Sequence, residues 1–390
     1  MIWPFFNRHL TNKMKTELTL DNRTLTLHRF PIRNNETLQA WDAGDEYLLS
    51  HLKTLNLQPN QHILVLNDHF GALSCYLSFE HQITMLSDSF IAQQATVANL
   101  QANSCPAVHI DNTMVSIPDN IDLVLMQIPR NNRHLIWQLS QLRTALPAHC
   151  PVIAVNKAKE IHTSTLQLFE QYLGQTHTSL AWKKHRLVFS QPDVYPTPSI
   201  EDNICWSIDD KTIELNNLPN VYSAERLDQG ARLLLDYLPQ DDTLESIIDL
   251  GCGNGILSVK LGQLNPQAKI IAVDESFMAV ESAKRNLAKN LSPQHRFECL
   301  ANNCLDGFPE RSTPFIVCNP PFHQQQTITD HIAWQMFCDA KRVLSKQGKL
   351  LVIGNRHLGY DIKLKRLFGS AQVKTIASNA KFVILQAIKP

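Results

Sequence analysis

The chain has 390 residues, of which 44% are hydrophobic and 18% are charged, and its formal net charge is zero. This length exceeds what one hydrophobic core organises, so two domains are expected, and the composition is that of an ordinary globular protein. No apolar run reaches the roughly 18 residues of a membrane helix, and the nine cysteines form no C-x-x-C pair, so we expect a cytoplasmic protein with reduced thiols and no metal.

The two halves of the chain repeat one another. Segments of the first half match segments of the second in the same order, and their offset grows along the chain as loop insertions would make it. The matched pairs are Ile63–Ser74 with Ile247–Ser258, Ser89–Ala92 with Ser276–Ala279, Asn99–Asn103 with Asn286–Asn290, Met126–Pro129 with Cys318–Pro321, Trp137–Gln138 with Trp334–Gln335, and Val152–Val155 with Leu350–Ile353. We therefore predict an N-terminal extension (1–17), a first α/β domain (18–190), a proline-rich linker (191–204) and a second α/β domain (205–390).

In the second domain, short β-branched runs alternate with helical patterns, which is typical of a parallel sheet flanked by helices. Strands are predicted at Ser246–Leu250, Ile270–Val273, Phe297–Ala301, Phe315–Cys318 and Lys349–Ile353. Helices are predicted near Arg226–Tyr237, Ile256–Leu264, Ser276–Asn290, His331–Leu344 and Ile362–Phe368, with Gly348 as the cap of the fourth.

A glycine-rich loop lies between the first of these strands and the next helix. It reads Asp-x-Gly-x-Gly-x-Gly over Asp249–Gly255, whereas dinucleotide loops read G-x-G-x-x-G. Glycines let the backbone approach a ligand, and a leading carboxylate can accept from an ammonium group. Asp274 ends the next strand and can accept from ribose hydroxyls, while Asn303 follows the third strand and can bond an adenine edge. The predicted cofactor is therefore S-adenosyl-L-methionine, held by Asp249, Gly251, Gly253, Gly255, Asp274 and Asn303, with Asn319 beside it.

The matching loop of the first domain has lost these features. The leading acid and two of three glycines are gone, and Ser87 stands where the second domain has Asp274. His69 and Phe70 are expected to fill the space that a cofactor needs. The first domain should therefore be structural or bind RNA, without binding the cofactor.

Asn319-Pro320-Pro321-Phe322 ends the fourth strand, at the sheet edge where doubly wound folds bind ligands. An exocyclic amine is a poor nucleophile because its lone pair is delocalised. The Asn319 side-chain carbonyl and the Pro320 backbone carbonyl can each accept one N–H, which directs the lone pair at the methyl carbon. The prolines pre-position both acceptors, and Phe322 offers a stacking face. His323 could take up the proton or contact the substrate, and we favour substrate contact.

These motifs resemble amino-methyltransferases of bases and of glutamine, and over nearly the whole chain they resemble bacterial ribosomal RNA guanine-N2 methyltransferases. Further signatures are Gln39–Ala43, Asp45–Leu49, Leu66–Cys75, Ile161–Leu166, Leu180–Lys184, Cys318–Gln325 and Asn355–Leu358. The resemblance implies an α/β fold of two tandem Rossmann-like class I methyltransferase domains, the N-terminal one degenerate. The N-terminal signatures resemble the large-subunit enzymes, which implies methylation of guanine 1835 in protein-free 23S rRNA or an assembly intermediate. The chain departs from the family at Tyr222 and Ala224, where we expected Phe and Arg.

The charge distribution agrees with an RNA substrate. From Lys341 to Pro390 there are eleven Lys or Arg and a single acid, Asp361. Such a stretch suits a polyanion, since bound phosphates would release counterions. The residues expected to bind RNA are His323, Arg356, Lys183, Lys184 and Arg186. A paired guanine hides its N2, so the enzyme must take an unpaired base or flip one out.

Three other functions fit less well. A 16S rRNA guanine-N2 methyltransferase would share the motifs. A protein glutamine N5-methyltransferase would use the same Asn-Pro-Pro core, usually with Tyr in place of Phe322, but needs no basic C-terminal stretch. A non-catalytic RNA-binding assembly factor fits the first domain but not the second, where every cofactor position is filled. We expect a monomer.

Overall fold

The computed structural model describes residues 15–33, 36–194, 199–201, 203–208, 212–321 and 326–390, with the backbone alone for 326–330. The described residues divide into two units, of which the second also includes residues 88–90 and 131–137, and the last boundary along the sequence falls between residues 194 and 199. This boundary lies inside the predicted linker, part of which (195–198 and 202) is outside the described residues, as are residues 1–14 of the predicted extension.

The first unit is a seven-stranded sheet with helices and a separate hairpin. Its strands are β1 (Glu17–Leu20), β2 (Arg23–Thr26), β3 (His62–Leu66), β4 (Gln82–Leu86), β5 (His109–Asp111), β6 (Leu123–Gln127), β7 (Val152–Lys157), β8 (Thr176–Thr178) and β9 (His185–Ser190). Its helices are α1 (Ala43–Leu52), α2 (Ala72–Leu77), α3 (Phe90–Ala102), α4 (Asn132–Ala145) and α5 (Thr163–Tyr172). The sheet order is β5-β4-β3-β6-β7-β9-β8, with β1 and β2 paired apart from it.

The second unit has the same plan. Its strands are β10 (Ile204–Ile208), β11 (Ile213–Asn217), β12 (Ser246–Leu250), β13 (Lys269–Asp274), β14 (Phe297–Ala301), β15 (Thr313–Cys318), β16 (Leu344–Asn355), β17 (Val373–Ser378) and β18 (Phe382–Ile388). Its helices are α6 (Gln229–Leu235), α7 (Ile256–Leu264), α8 (Phe277–Asn290), α9 (Gln326–Val343) and α10 (Tyr360–Phe368). The order β14-β13-β12-β15-β16-β18-β17, with the β10–β11 hairpin apart, repeats the first sheet position by position. The predicted fold of two tandem Rossmann-like domains is confirmed.

The central strands are buried on both faces, which explains their continuous apolar runs. In β12, Ile247 packs into the core on one face of the sheet, and Ile248 and Leu250 pack into the core on the other. Burying each such side chain contributes about 1.5–3 kcal/mol. Asp249 interrupts this run although it is fully buried, so its presence calls for a reason other than packing.

Asparagines on α3 and α8 attach the separate hairpin of each unit. In the second unit, Asn286 accepts from the Asn216 N–H at 2.8 Å and donates to the carbonyls of Asn216 and Asn254, the last at 2.8 Å. One turn later, Asn290 bonds both backbone groups of Glu214. In the first unit the matched Asn99 and Asn103 bond backbone groups of the β1–β2 hairpin and its extension in the same way. We call these four residues the asparagine clamp. It explains why asparagines recur at matched positions of the sequence.

The structure corrects several sequence predictions. The sheets are mixed, because β18 and β9 run antiparallel to their neighbours, and the edge hairpins were not predicted. Gly348 does not cap a helix: α9 ends at Val343, Gly348 lies within β16, and the left-handed residue there is Gln347, at φ 63°. In contrast, β12, β14 and α7 have the predicted bounds.

Candidate active site

The glycine loop follows β12 and leads directly into α7. Its three glycines have φ of 79°, 53° and 78°, the left-handed region that side chains disfavour. A Cβ on Gly253 would meet no atom within 4 Å, so this part of the loop borders open space. A Cβ on Gly255 would lie 2.9 Å from the Cα of Ala283, so this glycine permits the close packing of α7 on α8. The predicted cofactor glycines thus have two separate structural roles.

Asp274 ends β13 beside this loop. Its Oδ2 accepts from the Gly253 N–H at 2.9 Å, and its Oδ1 accepts from the Ser276 N–H at 3.1 Å. Burial raises the pKa of this carboxyl. The carboxylate is therefore held in one orientation at the edge of the loop, where it can still accept from a ribose hydroxyl.

Asp249 lies deeper, with no exposed surface. Its Oδ2 accepts from Ser258 Oγ at 2.7 Å, while Oδ1 has no hydrogen-bond partner among the described residues. Burial raises the pKa of this carboxyl to about 7. A buried carboxylate oxygen without a donor is costly, so it favours a proton or an added cationic donor. This unpaired acceptor fits the ammonium group of an amino-acid moiety, which is a cationic donor.

The loop that begins at Asn319, called the acceptor loop below, lies next to the glycine loop because β15 pairs with β12, with Cys318 opposite Leu250. The carbonyl oxygen of Asn319 is 3.9 Å from the position that a Cβ on Gly251 would take. The Asn319 Oδ1 is buried and has no partner among the described residues. Pro320 is buried and Pro321 is exposed, whereas Phe322 and His323 lie outside the described residues. The structure thus brings the Asn319 backbone close to the glycine loop, and the Asn319 side chain carries a buried acceptor without a partner among the described residues.

Two residues of α9 that the sequence analysis did not assign also contact these loops. The Met336 methyl lies 3.0 Å from the Cβ position of Gly251. Gln335 donates from Nε2 to the Oδ1 of Asn303 at 3.0 Å. Gln335 could have been found from the sequence, because the repeat matches it with Gln138.

The first unit contains the same loop with different chemistry. Asn67 takes the place of Gly251 at φ 63°, and its amide exchanges two hydrogen bonds of 3.0 Å with Gln138. The buried Asp68 accepts from the Gly71 N–H and from the backbone and hydroxyl of Ser74. In the second unit the serine matched with Ser74 donates instead to the strand aspartate. The first loop therefore satisfies its polar groups internally.

His69 is exposed, whereas the neighbouring Asp68 is buried. That His69 and Phe70 occupy the space a cofactor needs stays a prediction. Phe70 is half-buried and its ring lies under the Arg29 guanidinium, 4.5 Å away.

Several Lys and Arg side chains of the basic C-terminal stretch (341–390) bond the protein's own backbone. Lys341, Arg342 and Lys389 donate to backbone carbonyls within their own unit. Arg356 is exposed at the carboxyl end of β16, the same edge as the acceptor loop, and its guanidinium contacts the Asn379 carbonyl at 3.4 Å. Fewer of the eleven cations are thus available to an anion than the sequence count indicates.

The three predicted RNA-binding residues of the first unit lie at one hairpin. Trp182 and His185 exchange backbone hydrogen bonds of 2.8 Å, which makes Lys183 and Lys184 a two-residue turn between them. Lys183 forms an ion pair with Glu46 at 2.7 Å, and Lys184 is exposed. Arg186 is half-buried on β9, opposite Asn156 at the carboxyl end of β7.

All nine cysteines are free thiols. Within the described part of the chain, no cluster of three or more His, Cys, Asp or Glu side chains is arranged to hold a metal ion. In the same residues, no helix is both long enough and apolar enough to cross a membrane.

Comparison with known proteins covers both units. The RLMG N-terminal domain matches residues 15–194, and the methyltransferase small domain matches residues 212–386. The ribosomal RNA large subunit methyltransferase G of Vibrio atlanticus (strain LGP32) is 65% identical over 376 residues, which are 96% of this chain and 98% of that protein. The protein of the same name from Aliivibrio fischeri (strain ATCC 700601 / ES114) is 62% identical over 377 residues, which are 96% of this chain and 99% of that protein.

A solved structure shares the two-domain architecture. The T. Thermophilus 16S rRNA N2 G1207 methyltransferase, in complex with AdoMet and guanosine, superposes with a TM-score of 0.76 at 20% identity. The match covers 97% of this chain and 98% of that one. At this identity the likeness supports the fold.

Proposed function

Because the chain belongs to the ribosomal RNA large subunit methyltransferase G family, we propose that it transfers the methyl group of S-adenosyl-L-methionine to the exocyclic N2 of one guanine in 23S rRNA. The observation that carries this proposal is the buried Oδ1 of Asn319, which has no partner among the described residues and belongs to a residue whose backbone carbonyl lies 3.9 Å from the Cβ position of Gly251. A donor is needed there, and the N–H of an amine supplies one.

The chemistry follows from this geometry. When Asn319 Oδ1 and the Pro320 carbonyl each accept one N–H of the amine, its lone pair is withdrawn from the ring and directed at the methyl carbon. The bound cofactor would supply an electrophilic methyl group on a sulfonium; as the N–CH3 bond forms, the S–CH3 bond breaks to leave a neutral thioether, and the amine loses one N–H proton. The protein contributes fixed acceptors whose orientation is set before substrate arrives, which lowers the reorganisation needed in the transition state. Stacking of the base on Phe322, and a substrate contact by His323, remain proposals.

The cofactor would be held by the residues around the glycine loop. Asp249 Oδ1 offers the missing acceptor for an ammonium group, Asp274 faces the ribose, and Asn303 faces the adenine. Gly253 leaves room for the backbone to approach the ligand, whereas the Cβ position of Gly251 is 3.0 Å from the Met336 methyl. Gly255 contributes by seating α7.

The first unit then serves the RNA substrate instead of the cofactor. Its loop is internally satisfied, while Lys183, Lys184 and Arg186 lie at the carboxyl edge of its sheet. We propose that these cations and Arg356 contact phosphates of protein-free 23S rRNA or of an assembly intermediate, and that the enzyme acts as a cytoplasmic monomer. Such contacts would make binding fall with rising salt.

The test is methyl transfer from labelled cofactor to deproteinised 23S rRNA, deproteinised 16S rRNA, intact large subunits and release factors in parallel. We expect label in free 23S rRNA, recovered as N2-methylguanosine after digestion to nucleosides. Asn319→Ala serves as the inactive control. Label in 16S rRNA would move the target to the small subunit, and label in a release-factor glutamine would overturn the RNA assignment.

A further inference from the structure

Gln335 lies on α9, the helix that follows the acceptor loop and that also contacts residues predicted to bind the cofactor. The helix α9 starts at Gln326, shortly after the acceptor loop, and its Met336 methyl lies 3.0 Å from the Cβ position of Gly251. The neighbouring Gln335 bonds the residue predicted to recognise adenine, since its Nε2 donates to the Oδ1 of Asn303 at 3.0 Å.

The direction of this hydrogen bond decides what Asn303 can offer a ligand. The backbone N–H of Asn303 donates to Asn302 Oδ1, and its carbonyl accepts from the Asp306 N–H. Its side-chain oxygen is taken by Gln335, while Nδ2 bonds no described residue. An amide nitrogen is a donor only. The Watson–Crick edge of adenine carries one ring acceptor, N1, next to its amino donor. A fixed N–H donor suits N1 and not the amino group.

We propose that Gln335 is a positioning residue for the cofactor: by donating to Asn303 Oδ1, it fixes that amide so that Nδ2 donates to N1 of the adenine ring. The inference deepens the proposed function and rests on its cofactor. It implies that the helix following the acceptor loop also sets which atoms of adenine are recognised.

The repeat supports an orienting role and supplies a matched control. Gln138, at the matched position on α4, exchanges two amide hydrogen bonds with Asn67 and is buried. In both units, this glutamine fixes the orientation of an asparagine amide at the loop region. In the first unit the asparagine belongs to the loop itself, so a change there disturbs a similar amide pair without touching the adenine position.

The experiment compares binding of S-adenosylhomocysteine and its 1-deaza analogue, in which N1 is replaced by CH, by calorimetry with the full chain and no RNA. The native protein should prefer the parent ligand by about tenfold, the loss expected for one hydrogen bond. Gln335→Glu replaces the donor by an acceptor, so Asn303 turns its amide and presents oxygen to the adenine. The preference should then fall below about twofold, and the parent ligand should bind about five- to tenfold more weakly.

The control Gln138→Glu should keep the native preference for S-adenosylhomocysteine over its 1-deaza analogue. Gln335→Met removes the donor at similar side-chain length and provides a second variant if Gln335→Glu does not fold. If Gln335→Glu or Gln335→Met keeps a tenfold preference, Gln335 does not orient Asn303 and the proposal is wrong. It is also wrong if the native protein binds both ligands equally. If the native protein binds neither, the cofactor assignment of the proposed function has failed, which is a different result from the loss of discrimination in the variants alone.

Discussion

A single substitution in the Lys183–Lys184 turn should stabilise the protein and weaken RNA binding. Both lysines have positive φ, 44° and 66°, as a two-residue hairpin turn with left-handed residues requires. Such turns favour Asn-Gly, and a side chain in this region costs roughly 1–2 kcal/mol. Lys184 is exposed, so its replacement by glycine loses little packing. After the larger entropy loss of glycine, we expect Lys184→Gly to raise the free energy of unfolding by about 1 kcal/mol, or Tm by roughly 2–4 °C.

The same change removes one cation from the surface proposed to contact RNA. One lost phosphate contact lowers the slope of log K against log salt by roughly 0.7–0.9. Affinity for deproteinised 23S rRNA should be measured by filter binding over a salt series, beside thermal unfolding.

Arg311→Gly is the matched control for this substitution. Arg311 is also exposed with φ 55°, but it precedes β15 at the amino ends of the strands. It should give a similar stabilisation with an unchanged salt slope. An unchanged slope for Lys184→Gly would refute the phosphate contact, and an unchanged Tm in both variants would refute the strain argument.

Three further predictions concern the second unit. Asn319→Ala should lower kcat by about 10²–10³-fold in the methyl-transfer assay and leave S-adenosylhomocysteine affinity within about twofold; unchanged turnover would remove the amine-orientation mechanism. Burial raises the pKa of Asp249 to about 7, above its unfolded value, so the stability that its protonated carboxyl contributes at low pH is lost as pH rises through about 7. Asp249→Asn should flatten this part of the Tm–pH curve. An unaltered curve would contradict the raised pKa of Asp249. Gly253→Ala should lower the free energy of unfolding by roughly 1 kcal/mol and abolish cofactor binding. Gly255→Ala places a Cβ 2.9 Å from the Cα of Ala283 and should lower the free energy of unfolding by roughly 3 kcal/mol. Equal effects of the two variants on stability would contradict their separate roles.

The sequence was most informative where one residue type has one physical use. The spaced glycines after a buried strand predicted the loop, and Asn286 and Asn290 helped to predict the repeat. Such residues can be recognised in the sequence without knowledge of their tertiary contacts. The bounds of β12 and α7 followed from abrupt changes between apolar runs and turn residues.

Other features depend on partners that are distant in sequence. The antiparallel strand β18 reads like any apolar run, and only pairing with β16 gives its direction. Gly348 looked like a helix cap, yet the bend there is made by Gln347 in a strand irregularity. The inward turn of Asp68, which leaves His69 exposed, is set by hydrogen bonds to Ser74 that no local pattern reveals.

The asparagine clamp has an evolutionary consequence. In both units it bonds a backbone carbonyl of the loop, that of Phe70 or Asn254, so the course of the loop is fixed by amide side chains outside it. A duplicated domain anchored in this way can exchange its ligand-contacting residues without misfolding. A domain of this kind can therefore lose one activity and acquire another in separate steps, while its fold is kept.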